Sequence, residues 1–249
     1  MGKDITKEMS KICVNPNASK LLDRLAVSCN GPDVDPEFRN LLNQPYKKNS
    51  KLTLIKIFKH QPMTAIDIYR LATSENITEI NQNDILYLFG GKIHLEGAEE
   101  WAEDYKKMAY KNGVPFGKYT KEFGIDLENE EHKAIFVFLD VLEIGEVKKI
   151  SSPTAQIQIG NIKITNAPIP KDMRIKKGAI VGVHCGVVVH SFNAKDNSLI
   201  ESITKMQRSN VYFQQQLEKI KGKLIDMKNA YKNQTKQRYN IFQRFTSTY

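Results

Sequence analysis

Residues 155–192 read AQIQIGNIKITNAPIPKDMRIKKGAIVGVHCGVVVHSF, and the fold turns on this stretch. Ile157 and Ile159 share one parity, and Ile162 and Ile164 share the other. The phase changes at Gly160-Asn161, which marks two strands joined by a tight turn or a bulge. Within 179–192, Val181, Val183, Cys185, Val187 and Val189 alternate with Gly182, His184, Gly186, Val188 and His190. That is the period of one extended strand. Upstream, residues 134–144 are apolar enough for a buried strand, with Asp140 and Glu143 the two charged residues in the run. The expectation is a central antiparallel β-sheet or small sandwich over 131–197.

This strand reading bears on chemistry. A zinc site needs about four ligands converging on one point. On a single strand Cys185 points away from His184 and His190, and the two histidines lie about 20 Å apart by strand rise. The expectation is therefore no metal site, no Cys–His nucleophile pair, no catalytic residue and no cofactor. Gly90-Gly91-Lys92 lacks the glycine spacing and the Ser/Thr of a phosphate loop.

After the sheet, Ser198 and Glu201 have the spacing of a capping box. Apolar residues then recur at alternating steps of three and four. In heptad terms Ile203, Asn210, Leu217, Leu224 and Tyr231 take a, while Leu199, Met206, Phe213, Ile220 and Met227 take d. The expectation is a long helix over 198–232 whose stripe forms an oligomer or partner seam, with Asn210 fixing register. Lys221, Lys223 and Lys228 flank the seam and call for an acidic partner, in this chain or a neighbour. The acidic stretch 96–131 suits them, with ten Asp/Glu against five Lys.

The tail, residues 233–249, sets Tyr239, Phe242 and Phe245 among cations. Lys221, Lys223, Lys228, Lys232, Lys236, Arg238 and Arg244 are the expected polyanion contacts, with the aromatics stacking on bases. From residue 199 onward, ten Lys/Arg face three acids, whereas residues 1–198 carry 27 against 25. A nearly neutral body with a basic end points to nucleic acid, an anionic membrane or an acidic protein surface.

Towards the N-terminus, Asn15-Pro16, Gly31-Pro32 and Gln44-Pro45 punctuate residues 1–50, which read as a loosely ordered segment with short helices at 19–27 and 36–42. Residues 51–130 read as mixed and mostly helical. Residues 51–59 (KLTLIKIFK) alternate as a strand, 64–74 follow as a helix, and 98–111 form a helix with Trp101, Tyr105 and Met108 on one face. Residues 84–89 and 92–95 read as a hairpin about Gly90-Gly91, with a helix capped by Gly90 as the rival reading.

The whole chain has 249 residues, a net charge of +9 and 41% hydrophobic residues. This composition excludes global disorder. Three cysteines in so long a chain are not a secreted disulfide framework, and no apolar run spans a membrane. A cytoplasmic setting, or another reducing one such as a nucleus or virion, follows. Gly2 begins a short match to the N-myristoylation pattern. The fold class expected is α+β: a helical N-terminal part, the central sheet and the long C-terminal helix. The function expected is a non-enzymatic, self-associating basic protein that contacts RNA or an anionic membrane, of the type of viral matrix or nucleocapsid-associated proteins. The alternatives are an adaptor whose basic helix binds an acidic partner, and an enzyme with scattered site residues.

Overall fold

The computed structural model describes residues 5–30, 34–44, 51–92, 95 and 129–227. The chain is α+β and divides into two compact units, Met1–Phe89 and Gly90–Tyr249. Among the described residues no helix is long and apolar enough to cross a membrane.

The first unit sets helices around a small sheet. Its elements are α1 (Ile5–Met9), β1 (Cys13–Val14), α2 (Pro16–Asn30), α3 (Pro36–Asn43), β2 (Leu52–Thr53), α4 (Leu54–Phe58), α5 (Pro62–Ser74), β3 (Glu79–Ile80) and α6 (Gln82–Tyr87). Strand β1 lies between β2, antiparallel, and β3, parallel. At Asn15-Pro16, and again at Asp35-Pro36, proline marks a helix start, while Gly31, Pro32 and Pro45 lie outside the described residues. The Asn15 side chain accepts from the N–H groups of Asn17 and Ala18 ahead of α2, and Asp35 accepts from Glu37 N–H at 2.9 Å ahead of α3. Each cap satisfies donors that a first helical turn leaves open. Leu21, Leu25, Phe38, Leu54, Ile57, Ile68 and Ile80 are buried.

Two expectations change in this unit. Residues 51–59 are not one strand: pairing ends at Thr53 and α4 follows. Strand alternation would have turned Lys56 inward with Leu52 and Leu54. The helix buries Leu54 and Ile57, three residues apart, and leaves Lys56 exposed. At residues 84–95 the helical rival holds. Asn81 and Asp84 form a capping box for α6, and the chain leaves it irregularly through Gly91.

The second unit comprises α7 (Glu130–Asp140), β4 (Glu143–Ser151), β5 (Thr154–Ile159), β6 (Ile162–Pro168), β7 (Ile180–His184), β8 (Val187–Ser191), α8 (Asn197–Ser209), α9 (Val211–Lys219) and β9 (Leu224–Asp226). The strands form one sheet in the order β8-β7-β4-β5-β6-β9. Every neighbouring pair is antiparallel except β6 and β9. Ile159 pairs with Ile162 across Gly160-Asn161, with Gly160 at φ 52°. This is the two-residue hairpin that the change of phase in the sequence marks.

Residues 134–144 are not a buried strand. Asn129 accepts from Glu131 and His132 N–H groups, Glu130 and Glu131 occupy the first turn, and α7 runs to Asp140. Ala134, Val137, Phe138 and Val141 are buried at steps of three, one and three, one face of a helix, and they pack in the core of the sheet.

The long helix over 198–232 is also corrected. Asn210 takes φ −81° and ψ 107°, outside the helical region. Its N–H still bonds to Met206 O at 3.1 Å and closes α8. Its Oδ1 accepts from Phe213 N–H at 2.8 Å and opens α9, while its Nδ2 donates to Leu95 O at 3.2 Å. The residue assigned to register is thus a cap for two helices, a role that suits its short polar side chain. Helix α9 ends at Lys219. Gly222 then adopts φ 73°, and residues 224–226 join the sheet edge. The capping box lies five residues before the expected Ser198 and Glu201, on Asn193 and Asp196, and opens the short 3-10 turn Ala194–Asp196 that leads into α8.

Candidate functional site

Residues 179–192 are two strands. His184 pairs with Val187, and Gly182 pairs with His190. The reversal occupies Cys185 and Gly186, both left-handed at φ 48° and 74°. Two positive φ angles in a two-residue loop are the pattern of a type I′ hairpin, where Asn-Gly is the usual choice. A Cβ at 186 would also displace the end of the Met227 side chain.

The turn delivers Cys185 to the end of α7. Its N–H donates to Leu139 O at 2.7 Å, supplying one of the last-turn carbonyls that a helix cannot satisfy itself. Asp140 is the next residue. One carboxylate oxygen of Asp140, one ring nitrogen of His184 and Cys185 Sγ all lie within 4.8 Å of one another. His184 is buried, while Asp140 and Cys185 are half-buried. The expectation of no such cluster rested on one extended strand, and the turn at Cys185 removes that premise. Asp140 escaped notice because it was placed in mid-strand.

Nearby on β4, Glu143 pairs with Val183. By strand alternation it faces away from His184, towards the apolar core. Burial pushes its carboxyl up to about 8, and its Oε1 is buried without a hydrogen-bond partner.

The expected polyanion residues fare differently from one another. Lys219 pairs with Glu130 at 2.6 Å and Lys223 with Glu131 at 2.9 Å, while Lys221 pairs with Glu218 at 3.1 Å. Of the lysines that called for an acidic partner, Lys223 meets one at the start of α7 in the same chain and Lys221 meets Glu218; Lys219, not among them, also reaches α7. Lys228, Lys232, Lys236, Arg238 and Arg244, with Tyr239, Phe242 and Phe245, lie outside the described residues. So do Gly2, Tyr231 and the expected helix at 98–111. Of the stripe, Ile203, Phe213, Ile220 and Met227 are fully buried within the chain, Leu199, Met206, Asn210 and Leu217 are half-buried, and Leu224 is 61% exposed.

A different basic surface is present. Lys148 and Lys149 are exposed at the end of β4, and Lys171, Arg174, Lys176 and Lys177 are exposed on the connection between β6 and β7. Gly178 N–H donates to Val147 O at 2.8 Å and Val147 N–H to Ala179 O at 3.0 Å, which lays residues 176–179 alongside β4. Met173, Ile175 and Ala179 pack against the core and anchor the connection beneath its cations. Besides the buried Glu143, two acids, Glu146 and Asp172, belong to the same segments, and Glu146 pairs with Lys148 at 2.6 Å. Ile150 and Ile180 are exposed among these charges. No protein-family model matches this chain, and neither a curated protein nor a solved structure does.

Proposed function

We propose that this protein is a non-enzymatic, basic assembly protein that holds nucleic acid by its phosphates through the surface formed by β4 and the β6–β7 connection. The observation that carries the reading is the contrast between two groups of lysines. Lys219, Lys221 and Lys223 sit within 3.1 Å of carboxylates of the same chain. Of the six cations on the other surface, only Lys148 pairs with a carboxylate among the described residues, and all six stand on anchored backbone. Anchored cations lose little conformational freedom when they meet a phosphate chain, and counterion release supplies most of the affinity. Ile150 and Ile180 add apolar contact for bases or sugars.

The test is a salt titration of binding to single-stranded RNA. Replacing Lys149, Lys176 and Lys177 by Gln should leave the melting temperature unchanged. The slope of log K against log salt should fall by about 0.7 for each phosphate that the variant no longer neutralises. Light scattering with and without RNA reads assembly. An unchanged slope and affinity would sink the reading. Binding of the parent to anionic vesicles but not to RNA would replace nucleic acid by a lipid surface.

A further inference from the structure

We infer that Asp140, His184 and Cys185 form a binding site for one transition-metal dication of the zinc class. Three donors of different chemistry, carboxylate oxygen, imidazole nitrogen and thiolate sulfur, all lie within 4.8 Å of one another. They come from two elements, the end of α7 and the β7–β8 turn, that the Cys185 N–H bond to Leu139 O holds together. Tetrahedral zinc with bonds of about 2.0–2.3 Å spaces its ligand atoms about 3.5 Å apart. Binding would draw the three atoms from within 4.8 Å of one another to that spacing.

The mutual closeness separates this reading from a Cys–His–Asp relay. In a relay the imidazole stands between sulfur and carboxylate, uses its two nitrogens on different partners and keeps those partners apart. Here a single ring nitrogen is near both, and sulfur is near the carboxylate. Three groups facing one point are arranged for an ion. The donor set also selects the ion's class: thiolate with imidazole suits zinc and its borderline neighbours, whereas magnesium and calcium take oxygen. Three protein ligands leave a fourth place for water. Binding displaces the thiol proton of Cys185 to solvent.

The backbone at Cys185 supplies an independent argument. A cysteine at φ 48° stands where the hairpin itself favours asparagine or glycine. Non-glycine residues held in that region cluster at functional sites.

That argument provides a clean test. The full-length protein is titrated with Co²⁺ as probe, followed by Zn²⁺ competition. The parent should bind one Co²⁺ per chain with a near-ultraviolet thiolate-to-cobalt band that Zn²⁺ abolishes, and Zn²⁺ should raise its melting temperature. Cys185→Asn should lose the band and the Zn²⁺-dependent rise, yet melt in metal-free buffer no lower than the parent, because asparagine suits the turn. Should that variant fail to fold, Asp140→Asn decides. It should weaken Zn²⁺ binding by about 100-fold or more, since even outer partners of ligands are worth 10–100-fold. A parent without the band, a Cys185→Asn protein that keeps it, or an Asp140→Asn protein with parental affinity would each overturn the inference.

Discussion

Glu143 is a residue whose cost can be measured directly. It is 5% exposed, faces apolar neighbours, and burial lifts its carboxyl from 4.5 to about 8. Between those two pH values the folded chain holds a proton that the unfolded chain has released. Stability therefore falls as pH rises from about 4.5 to about 8 and levels off above. Glu143→Gln keeps the shape and removes the titration. Urea denaturation from pH 5 to 9 should show a flatter profile for the variant. At pH 8 its stability should exceed the parent's by roughly 2–5 kcal/mol, since each tenfold change in proton affinity is worth about 1.4 kcal/mol. A parental pH slope in the variant would show that something else compensates the carboxylate. The burial of this residue was not legible in the sequence, because Glu143 stood near the end of what read as one strand over 134–144, whereas it opens β4. Cys185 was hidden for a related reason. A hairpin turn written Asn-Gly announces itself, but Cys-Gly between alternating valines reads as unbroken strand. Asn210 was noticed and given the wrong task, since the polar residue that interrupts an apolar stripe can fix a register or end a helix.

Among the elements, the helices at 19–27, 36–42 and 64–74 and the two-residue hairpin at Gly160-Asn161 were legible, whereas α6 and α7, though capped by Asn81 and Asn129, read first as strands. Helix α7 carries β-branched and aromatic residues in succession, so its composition imitates a strand. The signals that decide it, Asn129 with Glu130 and Glu131, stand just outside the apolar run. The C-terminal stripe failed in the opposite sense. Helices α8 and α9 are each amphipathic, and their phases agree well enough across Asn210 to resemble one heptad run. Substitution separates the two descriptions. Phe213→Ala should cost roughly 3–5 kcal/mol, because its side chain is fully buried. Leu224→Ala should change stability by no more than about 0.5 kcal/mol, because the side chain is 61% exposed on an edge strand. Asn210→Leu would complete the stripe of a continuous helix and stabilise it. In this structure it removes the cap on α9 and should cost about 1 kcal/mol or more. Chemical denaturation of the three variants reads all of this. The Phe213→Ala loss should not depend on protein concentration, since Phe213 packs within its own chain. A stabilised Asn210→Leu protein would restore the long helix.

At the scale of the molecule, the two units differ in charge as well as in architecture. Residues 1–89 carry twelve Lys and Arg against ten Asp and Glu, a net +2, while residues 90–249 carry 25 against 18, a net +7. The whole of that +7 falls in residues 199–249, where Lys219 and Lys223 fold back onto Glu130 and Glu131, a pairing that linear counting cannot see, and where the cations from Lys228 onward lie outside the described residues. Nor can linear counting see that Lys148 and Lys176, far apart in the chain, lie on adjoining backbone. The first unit has its own core, including Leu21, Phe38, Ile57, Ile68 and Ile80. It also has its own polar ties: Ser19 to the Leu42 carbonyl, Arg39 to Asp23 at 2.9 Å, and His60 to Asp35 at 2.7 Å. A chain of this length buries more than about 60% of its unfolded surface, which is enough for independent folding. Expressed alone, residues 1–89 should therefore melt in one cooperative transition and show little affinity for RNA at physiological salt. Residues 90–249 should keep RNA affinity within a few-fold of the full chain, with the same salt slope, because the cations of β4 and the β6–β7 connection remain. Circular dichroism melts and fluorescence anisotropy with labelled RNA read both outcomes. Should residues 1–89 bind RNA as tightly as the full chain while residues 90–249 fold and do not bind, net charge would be no guide to the contact surface. The basic face of the larger unit would then be a solvated surface and nothing more.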